Sequence, residues 1–444
     1  MKIIIVGAGE VGRHVAKMLS TENHEIVLMD KEEENLQDLD INYDIMTKVG
    51  DPTSPSELQM CGVRGCDLFI AVTPYESENL NSCMLASQLG AKKTVARINN
   101  YEYLLPKNKT LFNNMGVNML IYPEMLVATE IVQSVQRSWI REYRSFCDDA
   151  LVLVCIKVRN NAEILNKQFK TGFFNHDKFR IVAVKRRNKT IIPGGNDMIM
   201  ANDLVYFIST KENLEFVKKA AGKTQFPIKN IIIMGGSKIA IKVVQYLPSN
   251  ISVKIIEADK ARCYKLADEV NTLIIYGDGR NIDLLKDEGI EETDAFVAVT
   301  NNSEANVLAC LAAKRLGIRK TIAQVENVDY IELADNLDIG TIINKKLTAA
   351  SYIYQQTLDE DTNDVQCLTY SDAQVVEFEA KAGDKITKAR IRDLKLPAEV
   401  NIGGVVRQGE GQVANGETVI MPGDHVVVFC KATSAIKISK FFEQ

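Results

Sequence analysis

The chain has 444 residues, a formal net charge of −5 and 46% hydrophobic residues, so it can form several hydrophobic cores and is too long for one simple domain. The slightly acidic balance and the lack of a long Lys/Arg block argue against nucleic acid as a partner. The sequence has no run of about 18 apolar residues, and it enters its first predicted strand without a signal peptide. We therefore expect a cytoplasmic protein without a membrane span.

The glycine-rich segment near the start predicts a nucleotide site. The apolar run Ile3–Val6 predicts a buried strand, and the residues after it are Gly7, Ala8, Gly9, Glu10, Val11 and Gly12. In this pattern the first glycine permits a tight turn, the second lets a phosphate approach the backbone, and the third lets the next helix pack closely. The unpaired N–H groups of that helix would face the phosphates.

A carboxylate follows at the spacing that a dinucleotide site requires. A second apolar run ends at Asp30, which is 23 residues after Gly7, close to the spacing of about 20 at which a carboxylate binds ribose hydroxyls. Lys31 comes next and belongs to the same predicted site.

Four further strands complete the first domain. The third strand is followed by Gly50, Asp51 and Thr53, and Asp51 would either cap the next helix or face the adenine ribose. The fourth strand ends at Thr73, at the edge where parallel strands line a ligand crevice. The fifth carries Arg97, and the sixth runs into Glu124. Six strands alternating with helices predict an α/β fold with a doubly wound parallel (Rossmann) sheet over 1–124.

The predicted sheet is followed by a helix and a smaller module. Residues 125–145 predict a long amphipathic helix whose apolar stripe must be buried on the next domain or on another subunit. Residues 146–226 predict a small α+β module with strands near Leu151–Ile156, Ile181–Val184 and Leu204–Phe207.

The same order then returns, which indicates a duplication. Asp278 follows Asp51 by 227 residues, and Thr300 follows Thr73 by the same 227; a register held over several elements indicates an internal repeat. The repeat predicts a second Rossmann domain over 227–345, a second helix over 346–364 and a second small module over 365–444. The residues of the second nucleotide site would be Gly235, Gly236, Ser237, Lys238, Ile239, Glu257, Gly277, Asp278 and Thr300.

The second site departs from the first at two positions. Ser237 replaces the middle glycine, and its side chain narrows the approach to a phosphate. Gln324 stands where the first half has Arg97, so a cation for the phosphates is lost. We expect the first site to bind more tightly.

No catalytic constellation emerges from the sequence. The four histidines are scattered, the cysteines lack metal-ligand spacing, and no substrate domain follows either dinucleotide fold. Nucleotide binding without such groups favours regulation over catalysis. An NAD(P)-dependent oxidoreductase is the main alternative, and a nucleotide-sensing scaffold without a membrane partner is another.

In combination, these motifs resemble the TrkA family of bacterial potassium-uptake proteins, which contain two tandem RCK (KTN) units. The resemblance covers nearly the whole chain and depends on the glycine segment Gly7–Gly12, Asp30, Gly50–Thr53, Asp67, Val72–Thr73, Arg97, Tyr122–Glu124 and the repeats at Gly277–Asp278 and Val299–Thr300.

This resemblance implies a regulatory subunit that binds NAD(H) or an adenine nucleotide, ADP or ATP. It further implies docking on a Trk-type membrane potassium channel subunit (TrkH) at the inner face of the cell membrane. Several RCK units, from a homo-dimer or homo-tetramer, would form a gating ring, with Met125–Arg137 as the helix that crosses between neighbouring units.

The resemblance also bears on the choice of nucleotide. Relatives that sense ATP often carry Arg at the position of Glu10, so the carboxylate here favours NAD(H) or ADP at the first site. Lys238 makes the second site the better candidate for a triphosphate. A glutamate that matches Glu124 can bind a divalent ion near the phosphates.

Overall fold

The computed structural model describes residues 1–20, 24–37, 45–174, 176–187, 189–327, 329–357, 365–368, 373–397 and 399–442. These residues form two compact units. The first contains Met1–Leu126 and the helix Lys345–Thr357, and the second contains Val127–Asn344 and the chain from residue 365 on. In the described part of the chain, no helix combines the length and the apolar character that a membrane span requires.

The first unit contains a six-stranded sheet with the strand order β3-β2-β1-β4-β5-β6, and all of its neighbouring strands are parallel. The central strands are buried on both faces because they are continuous runs of branched apolar residues. The elements are β1 (Lys2–Val6), α1 (Glu10–Leu19), β2 (Glu25–Asp30), β3 (Met46–Val49), α2 (Pro55–Met60), β4 (Leu68–Ala71), α3 (Glu76–Gln88), β5 (Lys93–Arg97), α4 (Pro106–Asn114) and β6 (Met119–Ile121). This order is the doubly wound arrangement that the sequence predicts.

The second unit contains the same sheet again, in the order β14-β13-β12-β15-β16-β17. Its elements are β12 (Asn230–Met234), α7 (Lys238–Tyr246), β13 (Ser252–Glu257), α8 (Lys260–Glu269), β14 (Leu273–Tyr276), α9 (Ile282–Asp287), β15 (Ala295–Ala298), α10 (Ser303–Arg315), β16 (Lys320–Gln324), α11 (Asp329–Asn336) and β17 (Thr341–Ile343). The predicted fold class, two Rossmann sheets each followed by a small α+β module, is confirmed.

Two antiparallel sheets form the small modules, and both belong to the second unit. Their strand orders are β10-β9-β11-β8-β7 and β18-β19-β22-β20-β21. The first module consists of β7 (Glu142–Phe146), β8 (Leu151–Lys157), β9 (Phe179–Arg186), β10 (Lys189–Ile191), β11 (Leu204–Ser209) and α6 (Leu214–Ala220); the second consists of β18 (Val365–Cys367), β19 (Ala373–Glu379), β20 (Val400–Arg407), β21 (Glu410–Val413), β22 (His425–Lys431) and α13 (Ala432–Ser439).

The helix after each sheet packs against the Rossmann domain of the other half. Helix α5 (Pro123–Gln136) follows β6 and contributes Val127, Ile131 and Val135 to a core that also contains Ile239 and Val243 of α7. The apolar stripe of α5 is therefore buried on the second Rossmann domain of the same chain. Helix α12 (Lys345–Thr357) follows β17 and packs along α1 in the first unit.

One predicted helix end needs correction. The first helix, expected over 125–145, ends at Gln136, and Glu142–Phe146 is the edge strand β7 of the small sheet. Antiparallel pairing with β8 satisfies the backbone groups on one side of this strand, and a local apolar period cannot reveal such pairing. The second helix, expected over 346–364, begins at Lys345 and is described to Thr357; residues 358–364 lie outside the described part of the chain.

Candidate nucleotide-binding sites

The first glycine loop connects β1 tightly to α1. Gly7 has a φ of +95°, a conformation in which L side chains are strained, and a Cβ there would lie 2.9 Å from the Thr73 backbone nitrogen. A Cβ on Gly12 would lie 1.8 Å from the Gly7 carbonyl oxygen, whereas one on Gly9 would meet no atom within 4 Å. Gly7 and Gly12 are thus required by packing, and Gly9 leaves open space at the N-terminus of α1.

The acidic residue at the end of β2 fixes this loop. The Asp30 carboxylate accepts a hydrogen bond of 2.6 Å from the Ala8 backbone N–H and a second, of 2.9 Å, from the Glu32 backbone N–H. In the second half, Glu257 accepts from Gly236 N–H at 2.6 Å and from Asp259 N–H at 2.8 Å. Each predicted ribose carboxylate therefore also holds the loop that would bind the phosphates.

A buried asparagine joins two strand ends in each half. Asn79 accepts hydrogen bonds from Thr73 and donates to the carbonyls of Thr73 and Arg97 at 3.0 and 2.9 Å. Asn306 does the same with Thr300 and Gln324. Thr73 and Thr300 thus bind the helix that follows each of them, and the two asparagines set the shape of the crevice edge.

The residues after β3 form a turn that is fixed by the Asp51 side chain. Asp51 accepts hydrogen bonds from the backbone and side chain of Thr53 at 2.8 and 2.7 Å, and these bonds lower the pKa of the Asp51 carboxyl group. Lys31 lies between Asp51 (3.4 Å) and Glu78 (2.7 Å). A Cβ on Gly50 would lie 2.4 Å from a Glu57 oxygen, so the Glu57 side chain would have to move to admit any other residue. Asp51 therefore closes an Asx turn, and Ser54 takes the N-cap position of α2.

Two buried groups at the open end of the first sheet make no hydrogen bond. Arg97 Nε and Glu124 Oε2 are both inaccessible to solvent and lack a partner among the described residues. Lys345 Nζ, at the start of α12, lies 3.5 Å from the other oxygen of Glu124. Because unsatisfied buried donors and acceptors are costly, they fit a polar ligand at this edge. The ammonium group of Lys345 already supplies a cation next to Glu124.

The second site forms a cleft of about 250 Å³ at the corresponding edge of its sheet. The predicted residues that line it are Gly235, Glu257, Gly277, Asp278 and Thr300. Gly235 has a φ of +102°, like Gly7. The Ser237 hydroxyl caps α7 by accepting a hydrogen bond from Ala240 N–H at 3.3 Å, so it serves its own helix. Lys238 is exposed at the first turn of α7.

The polar groups of the second site differ from those of the first. Gln324 Oε1 and Glu326 Oε2 are buried without a hydrogen-bond partner among the described residues, and Gln324 donates to the other Glu326 oxygen at 2.7 Å. Arg280, which sequence reasoning missed, lines the cleft and binds Asp278 at 2.7 Å. A hydrogen bond from Arg280 lowers the pKa of Asp278. The second site thus retains a cation although it lacks a counterpart of Arg97.

Two of the predicted site residues, one on α1 and one on α7, are core residues. Val11 and Ile239 follow the loops on α1 and α7, and both are buried, with 6% and 2% of their surface exposed. Their backbone N–H groups belong to the first helical turn, but their side chains pack inward. They shape the sites only through the backbone.

Matches to known protein families cover both halves of the chain. The TrkA-N domain family matches residues 3–123 and 231–345, and the TrkA-C domain family matches residues 153–222 and 375–443. The chain belongs to the TrkA family. The Trk system potassium uptake protein TrkA of Vibrio alginolyticus is 31% identical over 97% of this chain and 95% of the relative. Its counterpart in Haemophilus influenzae is 30% identical over 100% of this chain and 99% of the relative.

Solved structures agree with the fold of this TrkA-family chain. The GsuK channel bound to NAD matches 99% of the chain and 78% of the channel with 15% identity and a TM-score of 0.57. GsuK bound to ADP matches 80% of the chain and 69% of the other protein with 12% identity and a TM-score of 0.51. At these identities the likeness shows the fold alone.

One further contact in this TrkA-family protein corrects an argument from the sequence. Glu10, at the start of α1, forms a 2.6 Å ion pair with Lys346 of α12. The sequence argument treated the Glu10 carboxylate as an unopposed negative charge. Lys345 and Lys346 are far from the first loop in sequence, and only the packing of α12 on α1 brings them to it. The repeat could have identified these lysines, because α12 is the equivalent of α5 in the second half. Their position beside the first loop, however, depends on tertiary structure.

A separate cluster lies between the two small modules. The ligand atoms of Cys147, Glu377 and His425 lie within 4.8 Å of one another, although their sequence spacing suggested no metal site. The Cys147 thiol donates to Glu377 at 3.0 Å, and His425 Nδ1 lies 3.0 Å from the same oxygen. These hydrogen bonds account for the cluster without an ion.

Proposed function

We propose that this chain is a non-enzymatic regulatory subunit of a Trk-type potassium uptake system. It would bind NAD(H), ADP or ATP at its two Rossmann crevices and gate a membrane potassium channel subunit, which would hold it at the inner face of the cell membrane. The observation that carries the proposal is the duplicated loop-and-carboxylate arrangement at Asp30 and Glu257 in a chain of the TrkA family. Both relatives named above are potassium uptake proteins.

The residues of the first site match the parts of a dinucleotide or ADP. Asp30 would accept the ribose hydroxyls while it keeps the loop in place, and the α1 N-terminus beside Gly9 would bind the phosphates. Arg97, Lys345 and Lys346 would supply positive charge. NAD and ADP are the ligands of the GsuK structures, which supports both candidates. Because Lys346 opposes Glu10, the charge argument against a triphosphate here weakens, and Lys238 keeps the second site a candidate for ATP.

Gating requires that the ligand bind one conformation better than another. A tenfold preference supplies about 1.4 kcal/mol per site, and several sites in a ring of RCK units, formed by a dimer or tetramer of chains, would multiply it. The first site is suited to this task because α12, whose first two lysines contact Glu124 and Glu10, continues directly from β17 of the second sheet. A nucleotide there would therefore contact segments from both halves of the chain.

Potassium flux tests the proposal. We expect flux through the reconstituted membrane subunit to depend on this protein and on NADH, NAD, ADP or ATP, and Asp30→Ala to remove most of the response at the first site. Glu257→Ala serves as the matched variant for the second site. Flux that ignores all four nucleotides would refute gating. Substrate-dependent NADH oxidation by the purified protein would instead support the oxidoreductase alternative.

The ion pair between Glu10 and Lys346 gives a second test. We expect Lys346→Glu to weaken ADP binding at the first site by about tenfold, because two carboxylates would then face the phosphates. Calorimetry in a Glu257→Ala background would report the first site alone. The double variant Glu10→Lys/Lys346→Glu exchanges the two charges and so restores the ion pair. It should recover the affinity for ADP. Unchanged binding in Lys346→Glu would show that α12 contributes no charge to the site.

A further inference from the structure

A cleft of about 330 Å³ lies between the first small module and the second Rossmann domain, and its lining is strongly basic. Seven basic side chains line it and, among the described lining residues, none is acidic. They come from five separate segments of sequence: Arg141, Lys157, Arg159, Lys223, Lys314, Arg319 and Lys320. We call this feature the basic cleft.

Two aspartates next to the basic cleft balance only part of this charge. Asp338 contacts Arg141 at 2.5 Å, Lys314 at 2.9 Å and Lys157 at 3.3 Å, and it also binds Arg159. Asp335 contacts Arg141 at 2.5 Å. Lys223, Arg319 and Lys320 have no carboxylate partner in the described structure. The cleft therefore keeps a surplus of positive charge that two carboxylates cannot neutralise.

Lys320 is the least expected member of this group. It is 5% exposed, and its Nζ donates to the Ile140 carbonyl at 2.9 Å and the Thr341 hydroxyl at 3.1 Å. Burial, together with the charges of Arg141 and Lys223, lowers its pKa to about 7. Burial, with Arg159 and Arg141, lowers the pKa of Lys223 to about 8. Buried cations that lower the pKa values of one another are costly to keep charged unless an anion binds between them.

We propose that the basic cleft binds a soluble anion that carries two or more phosphate groups. The volume exceeds what a single phosphate needs, and the surplus charge is matched by a polyvalent anion better than by a monovalent one. Arginine forks and lysine ammonium groups are the side chains that bind phosphate oxygens most strongly. The ligand would bridge Arg159 and Lys223 of the small module to Lys314 and Lys320 of the Rossmann domain.

The basic cleft is separate from the nucleotide crevices. Lys320 begins β16, and Gln324, at the other end of the same strand, belongs to the second crevice. Four residues of strand place the two ends about 13 Å apart, at opposite edges of the sheet. A ligand here would act on the packing between the two domains, independently of nucleotide at the crevices.

Calorimetric titration of the full chain, saturated with ADP, with inorganic tripolyphosphate tests the proposal. We expect binding in addition to ADP, with uptake of protons from the buffer because Lys223 and Lys320 become fully charged. Lys223→Ala should weaken binding by about tenfold or more, and Lys320→Met should reduce the proton uptake. Lys286→Ala, which removes an exposed lysine of α9, is the control and should bind like the parent protein.

Each other outcome contradicts the proposal. Loss of tripolyphosphate binding after ADP saturation would assign the anion to the crevices. Equal binding by Lys223→Ala, in a sample whose thermal unfolding matches the parent protein, would exclude the cleft. Equal affinity for citrate would remove the preference for phosphate groups. None of these results depends on potassium flux, so the test is separate from that of gating.

Discussion

Replacing Gly12 with alanine is expected to abolish nucleotide binding at the first site and to destabilise the unit that contains it. The new Cβ would lie 1.8 Å from the Gly7 carbonyl oxygen, and backbone on both sides cannot yield without moving α1 away from the loop. Alanine favours a helix by about 1 kcal/mol over glycine, but overpacking costs about 1–3 kcal/mol or more. The clash therefore outweighs the gain in helix propensity, and the net effect of Gly12→Ala on stability should be destabilising.

Two comparisons make this prediction specific. Gly9→Ala adds a Cβ where no atom lies within 4 Å, so we expect normal stability and weaker binding only. Ala240 occupies the corresponding position in the second half, so the second crevice should remain competent in Gly12→Ala. Thermal unfolding and ADP calorimetry in the Glu257→Ala background measure the two effects. Parent-like ADP affinity in Gly12→Ala would refute the role assigned to the loop.

Replacing Asp338 with asparagine is expected to cause the largest loss of stability outside the nucleotide sites. Asparagine keeps the size of the side chain and tolerates the φ of +55° at this position, but it removes the charge that holds Arg141, Lys157, Arg159 and Lys314 together. Removing one partner of a fully buried ion pair costs about 3–5 kcal/mol, and because 26% of the Asp338 side chain is exposed, the cost here should lie below that range. Asp335→Asn, which removes a carboxylate with fewer cation contacts, is the matched variant and should cost less.

The stability that Asp338 contributes should fall as the pH falls. Burial raises the pKa of Asp338, but Arg141, aided by hydrogen bonds from Lys314 and Arg159, overrides burial and holds this pKa well below its usual range. A carboxyl group with a depressed pKa contributes stability above its unfolded pKa of about 3.9 and loses it as the pH falls toward the folded value. Denaturant unfolding should therefore show a constant difference between parent and variant near neutral pH and a shrinking one below about pH 4. A difference that grows in acid would contradict this account.

The sequence predicted the parts of the fold that depend on local pattern. Runs such as Ile3–Val6 and Ile231–Met234, which end at glycine, favour buried strands, and the constant register between Asp51 and Asp278 revealed the duplication. The glycine loops were predictable because the positive φ of Gly7 and the close packing of Gly12 each require glycine.

The remaining features depend on contacts between distant segments. Trp139 and Ile140 fit the apolar period of a helix, yet they pack in the small module, just before strand β7, which pairs with β8. Lys346 reaches the first loop only because α12 packs along α1. The basic cleft draws its side chains from five separate segments, none of which is unusually basic by itself. Such features depend on which distant segments pack together, and a single sequence does not show this directly.

Helix α12 follows the second sheet but packs along α1 of the first Rossmann domain. This arrangement determines when the first site can be completed during synthesis. Residues of β1 to β6 leave the ribosome first, whereas α12, which covers α1 and carries Lys345 and Lys346, emerges only after the whole second sheet. Until then the outer side of α1 stays uncovered. A prematurely terminated product would thus lack the helix that covers α1 and the two lysines that contact Glu10 and Glu124.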